Sequence, residues 1–187
     1  MTRFLILAAT LAMVSCATDC KKPDNLNEQR RVLAEGYSML HHDTFTLSTV
    51  RGLLYVKEES DDFDKYVTAV SEYGGKLHGE LEKLAKEYPA VRVDLDPLPE
   101  MEKRKRVATG WDKFKQIAPI TGEKGRTWER TLLISLVNGM NQERHLCEEM
   151  AKEEPNAQLK RFMAEQQDAM TKYWERGEAL LEKRYYK

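Results

Sequence analysis

Apolar residues return every three or four positions over four long stretches of this chain. Over residues 25–59 the stripe runs Gly36, Leu40, Asp43, Leu47, Val50, Leu54. Over 61–88 it runs Phe63, Val67, Val70, Gly74, Leu77, Leu81, Leu84, Tyr88. Over 127–153 it runs Leu132, Leu136, Gly139, Glu143, Leu146, Met150, and over 156–186 Leu159, Met163, Gln166, Met170, Tyr173, Gly177, Leu180. This spacing puts each set on one side of a helix, and that side must be buried against another helix. The pattern predicts four long amphipathic helices. Their ends carry matching signals. Asn25 with Glu28 can form a capping box. Ser60 can cap the second helix, with Asp61 and Asp62 at its positive end. Pro89 stops the second helix, and Pro155 suits the first turn of the fourth. Only a few residues separate the first helix from the second, and the third from the fourth, so each pair is expected to form an antiparallel hairpin.

Residues 89–126 lie between the hairpins. They contain VDLDPLPE and a shorter helical stretch over 100–118, whose Val107, Trp111, Phe114 and Ile117 are expected to pack on the bundle. Pro119, Gly122 and Gly125 then break the chain. Two helical hairpins joined by one long crossover holding a short extra helix resembles the ferritin-like four-helix bundle, across residues 25–187. The resemblance implies an all-α fold. The di-iron centre of such bundles takes one Glu from each of two helices and Glu-x-x-His from the other two. Asp43 and Glu143 stand where the single carboxylates would be. Gly74-Gly75-Lys76-Leu77 and Gln166-Gln167-Asp168-Ala169 occupy the places of the two motifs, and neither helix contains Glu-x-x-His in any frame. His78 has Glu82 four residues on, but no Glu three before it. The resemblance points to the fold and away from di-iron chemistry.

A small or polar layer remains in mid-bundle: Asp43, Gly74, Gly139, Glu143 and Gln166. A buried ionised carboxylate without a partner costs several kcal/mol or more, so Asp43 and Glu143 must be paired, protonated or wetted. Three readings follow. The two carboxylates sit at the seam edge in ion pairs with Arg or Lys, or they form a layer that fixes helix register. In the third, Asp43, His78, Glu143, Gln166 and His145 line a small polar pocket or a metal site, with His42 close by. Two other segments, Met39-Leu40-His41-His42-Asp43 and His145-Leu146-Cys147-Glu148-Glu149-Met150, mix ligands that suit copper or zinc. Neighbouring histidines on a helix diverge by about 100°, so His41 and His42 do not share one ion readily. Met39 and Met150 suit packing. Lys103-Arg104-Lys105-Arg106 can touch anionic lipid, but with Glu100 and Glu102 beside it the run reads as a solvated helix face.

Charge narrows the choice of partner. Charged residues make up 33% of the chain and the net charge is −1, which argues against nucleic acid. No P-loop, dinucleotide fingerprint or nucleophile arrangement is present, so the chain is not expected to be an enzyme. The N-terminus sets the expected address. Residues 4–14 are apolar except Thr10, too short a run to span a bilayer but suited to the core of a signal peptide. The run ends at Met13-Val14-Ser15-Cys16, which resembles the bacterial lipoprotein signal. The resemblance implies a signal peptide over 1–15, lipidation of Cys16 with palmitate among its acyl chains, a tether over 16–24 and a bundle domain over 25–187. Ala17, rather than Asp, after the cysteine implies the outer membrane, with the domain facing the periplasm. An ordinary secretory signal cut near Ser15 is the alternative. Of the other cysteines, Cys20 lies in the tether and Cys147 in the third helix. They are not expected to pair, and no C-x-x-C occurs. The expected function is a non-enzymatic accessory or binding role in the cell envelope, with a lipid anchor, an envelope protein partner and no cofactor. The alternatives are a metal-binding or metal-dependent redox protein holding a transition metal, and an envelope inhibitor or immunity-type protein.

Overall fold

A computed structural model describes residues 26–56, 60–96, 98–117 and 125–186. The expected signal, tether and cap residue, with Cys16, Cys20 and Asn25, lie outside the described residues. The fold is all-α. The helices are α1 (Leu26–Thr49), α2 (Asp61–Glu87), α3 (Glu100–Ile117), α4 (Gly125–Glu153) and α5 (Ala157–Tyr185), with a 3₁₀ segment over Val50–Val56. No strand occurs among the described residues. No described helix is long and apolar enough to cross a membrane.

α1 packs on α2 and α4 packs on α5, and the two hairpins meet through α1 against α4 and α2 against α5. Each neighbour runs antiparallel. On α1 and α2, Ser48 faces Ser71 and His41 faces His78. On α2 and α5, the Tyr66 hydroxyl meets the Tyr173 carbonyl, while Tyr88 meets Gln158. Tyr37, midway along α1, reaches Glu154 just past the end of α4. One core joins the four long helices, with Leu33, Tyr37, Leu40, Phe63, Val67, Trp128, Met140 and Met163 inside it. The stripes read from the sequence supply most of it. Leu84, Leu146 and Tyr173 are only half-buried, at its margin.

Four local expectations change. The first helix does not continue to residue 59: it tightens to 3₁₀ at Val50. Its last turns hold Thr44, Thr46, Ser48 and Thr49, whose hydroxyls bond to the Leu40, His42, Phe45 and Thr46 carbonyls. Such back-bonds compete with the helical ladder. Ser60 stands at the N-cap of α2, but its hydroxyl makes no cap bond. Its backbone N–H instead donates to Glu129 Oε1 at 2.6 Å. Pro155 precedes α5 rather than opening it. Asn156 is the cap, accepting from the N–H groups of Gln158 at 2.9 Å and Leu159 at 3.2 Å. On α3, Val107 and Trp111 face outward, each 60% exposed, instead of packing on the bundle. The less exposed side of α3 carries Glu102, Lys103 and Arg106, and it is charge that docks there. Lys103 pairs with Asp96, and Arg106 lies 4.0 Å from Asp43. The side chains of Phe114 and Ile117 lie outside the described residues.

Gly74 lets α1 and α2 approach closely. A Cβ there would lie 2.7 Å from Leu47 Cβ and 3.0 Å from the Thr44 carbonyl oxygen, so backbone would have to move. Gly79, on the same helix, has nothing within 4 Å of that point. Replacing Gly by Ala inside a helix gains about 1 kcal/mol in propensity, while overpacking costs about 1–3 kcal/mol. Urea unfolding should therefore show Gly79→Ala raising stability by up to about 1 kcal/mol, and Gly74→Ala lowering it by about 1–2 kcal/mol. Equal shifts in the two variants would contradict the close approach.

Candidate functional site

α4 brings Glu143 inward at mid-bundle, where its side chain meets Asp43 of α1. Glu143 is 7% exposed, and its Oε2 has no hydrogen-bond partner among the described residues. Burial pushes its carboxyl up to about 9, the charge of Asp43 and a hydrogen bond with it add to the rise, and Arg106 opposes it. Two carboxyl groups in contact cannot both be ionised cheaply, so Glu143 keeps a proton and shares it toward Asp43. Asp43 is half-buried and turned partly outward to Arg106. Asp43 thus lies beside an arginine, while Glu143 is buried in no ion pair among the described residues, and the two make a polar contact between α1 and α4.

The other predicted residues do not join that pair. Gln166 on α5 accepts from the Tyr73 hydroxyl at 3.0 Å. With Leu77, Tyr173 and Arg176 they line a surface groove of about 470 Å³ between α2 and α5. His145 is exposed on α4 and pairs with Glu148 at 3.1 Å, one turn away on the same helix. A pocket holding all five residues does not form. His42 is exposed as well, while Met150 is buried against Gly36, as a packing residue should be. Cys147 is a buried free thiol, 3.9 Å from Met170 Sδ.

His78 turns instead toward the α1–α2 groove. Its ring stacks on His41, with centroids 4.0 Å apart and planes 21° apart. Phe45, itself exposed, lies against His78 at 5.5 Å. His78 Nδ1 lies 3.1 Å from the His41 carbonyl oxygen. A carbonyl only accepts, so that nitrogen carries the proton and leaves Nε2 with a free lone pair. Glu82 Oε1 is 3.8 Å from His78 Nε2 and 3.9 Å from His41 Nε2. Burial holds His41 below the usual imidazole range; His78 and His42 reinforce this and Glu82 opposes it. His41 Nε2 is enclosed and has no hydrogen-bond partner among the described residues.

The sequence reading names His41 only within the Met39–Asp43 segment and Glu82 only as the residue four on from His78, and does not join the three. The spacing of His78 and Glu82 was the usable signal, since i and i+4 share a helix face. The partner on α1 needs the register of the hairpin, which periodicity alone does not give.

Two further buried carboxylates also escape a pattern built on apolar residues. Glu129 accepts from the Ser60 amide, from Arg184 at 2.8 Å and from the Tyr185 hydroxyl at 3.1 Å. Glu154 accepts from the Tyr37 hydroxyl at 3.0 Å, from Arg30 at 3.2 Å and from the Asn156 amide at 2.9 Å. Each ties chain ends or connections together.

Compared with known proteins, the chain matches no family model, no curated protein and no solved structure.

The protonated carboxyl has a consequence for stability. A raised folded-state value means that the native chain holds a proton the unfolded chain has lost. Stability from this group is fully present below the ordinary value of 4.5 and falls as pH rises toward about 9. The slope cannot exceed about 1.4 kcal/mol per pH unit. Glu143→Gln keeps a donor toward Asp43 and removes the titration. Urea unfolding at about pH 5 and about pH 8 should show the wild type losing more stability over that interval than the variant. Equal losses would mean that Glu143 is ionised in the fold.

Proposed function

We propose that this chain is a lipid-anchored protein of the bacterial cell envelope with a non-enzymatic accessory or binding role. In this reading its four long helices take ferritin-like connectivity without the di-iron chemistry. The observation that carries the reading is the order along the chain. An apolar run over residues 4–14 ends at Ser15-Cys16, a polar stretch follows, and helix α1 begins at Leu26. A signal of this form delivers a chain to the membrane, and two or more acyl chains on one cysteine hold it there stably. The helical domain then stands about ten residues from its anchor, at the membrane surface.

The connectivity has its own support. α1 runs antiparallel to both α2 and α4, so α2 and α4 point the same way. The segment between them, which includes α3, must then travel the length of the bundle. A crossover of that length is what the ferritin-like reading requires. Asp43 and Glu143 meet in mid-bundle, as the single carboxylates of such folds would. Gly74 and Gln166 stand where histidine motifs would be needed, Gly74 against Leu47 and Gln166 against Tyr73. The buried carboxylates Glu129 and Glu154 are engaged by the fold's own donors, which suits a structural role.

Growth with an alkyne analogue of palmitate tests the anchor. The wild-type chain should take the label and sediment with membranes. Cys16→Ser should lose both the label and the sedimentation while the helical domain still folds. A wild-type chain that stays unlabelled and soluble would refute the lipid anchor.

A further inference from the structure

We propose that His41, His78 and Glu82 form a binding site for a divalent first-row transition-metal ion, for which Zn²⁺ is the probe. The site lies in the groove between α1 and α2, apart from the Asp43–Glu143 pair. It stands independently of the envelope reading, since none of its residues belongs to the signal or the tether.

The donor set carries the choice of ion. Two imidazole nitrogens and one carboxylate oxygen suit zinc, copper(II) or nickel, whereas Mg²⁺ and Ca²⁺ prefer oxygen throughout. The geometry is close to what such an ion needs. The three ligand atoms already lie within 4.8 Å of one another. Around a tetrahedral ion with bonds of about 2.0–2.2 Å, neighbouring ligand atoms stand roughly 3.3 Å apart. Glu82 Oε1, now at 3.8 and 3.9 Å from the two nitrogens, needs to close by only about half an ångström. Its side chain is 53% exposed and free to do so. The stacked rings, 21° apart, must turn from one another by some tens of degrees about χ2, because parallel rings cannot both point their lone pairs at one ion.

Two features prepare the nitrogens. The Nδ1–H of His78 is held by the His41 carbonyl, which fixes the tautomer with Nε2 available, as outer-shell bonds do for metal-bound histidines. His41 Nε2 is the second feature. It is enclosed without a partner, an arrangement that costs free energy unless something meets the lone pair. An ion would meet it. Three protein ligands leave a fourth position on the Glu82 side, where solvent reaches, so water completes the coordination there. His42, next along α1, is exposed and diverges from His41 by about 100°, which takes it out of the set.

The test uses the mature lipidated chain without an affinity tag, in detergent and stripped with chelator. Calorimetric titration with Zn²⁺ should show one equivalent bound. His41→Ala and Glu82→Gln should each weaken binding at least tenfold, and neither removes a hydrogen bond of the fold seen among the described residues. His145→Ala, at the exposed His145–Glu148 pair, should leave the affinity unchanged. Co²⁺ in place of Zn²⁺ should give the visible absorption of a four-coordinate site, and both site variants should lose it. The proposal is overturned by the lack of stoichiometric uptake, by uptake undiminished in both site variants, or by uptake that His145→Ala abolishes. A Cys16→Ser chain should bind Zn²⁺ as the wild type does, which separates failure of this site from failure of the lipid anchor.

Discussion

Three glutamates on one side of α4 and its continuation have to leave water, and everything around them is arranged to make that tolerable. Glu129, Glu143 and Glu154 are 14 and 11 residues apart, close to four and three whole turns. They therefore share a face. An unmet buried carboxylate is among the most expensive groups a core can hold. Each is met differently. Glu129 is satisfied by the amide that opens α2 and by the end of α5. Glu143 is kept neutral against Asp43, in the last third of α1. Glu154 is gripped by Arg30 from the first turns of α1 and by Tyr37 from its middle. Apolar stripes alone are tolerant of sliding, because one leucine resembles another. A one-turn slip of α1 along α4, about 5.4 Å, would separate the two lower glutamates from their partners at once. The polar contacts thus penalise a slip that the apolar contacts alone would tolerate.

Much of the architecture was legible because burial and helical period coincide. Leu40, Leu47, Phe63, Val70, Leu77, Leu132, Met163 and Leu180 all lie where a 3–4 spacing puts them. The end of α1 was not legible in this way. Its hydroxyl-bearing residues look neutral in a count of apolar positions, yet they bond backward to the carbonyls and tighten the helix. α3 misled for the opposite reason. Val107 and Trp111 have the right spacing to pack, but the less exposed side of α3 carries Arg106, 4.0 Å from Asp43 of α1, and Lys103, paired with Asp96 in the preceding connection. Glu129 and Glu154 carry no signal of their burial, because a lone sequence does not say which face of a helix a carboxylate shares with distant partners.

The polar groups of α1 divide between its two sides. His41 and Asp43 are two residues apart and so point roughly 200° from each other. One faces α2 and the other faces α4. One of the three sequence readings gathered His78 with Asp43 and Glu143 into a pocket at the polar layer, since all sit at similar heights along the bundle. Height is what periodicity reports; azimuth between helices is what it omits. The structure resolves the layer into a carboxyl pair on one flank of α1 and a histidine pair on the other.

Cys147 sits deep in α4, its sulfur touching only the thioether of Met170 among the described polar contacts, with burial and the nearby Glu143 both raising its thiol far above the ordinary range. A thiol held neutral and enclosed is a poor nucleophile. Its chemistry is therefore tied to the opening of the α4–α5 pair rather than to the solvent outside. An alkylating reagent reaching that sulfur would act as a clock for the breathing of the domain, built into the chain without any engineered probe.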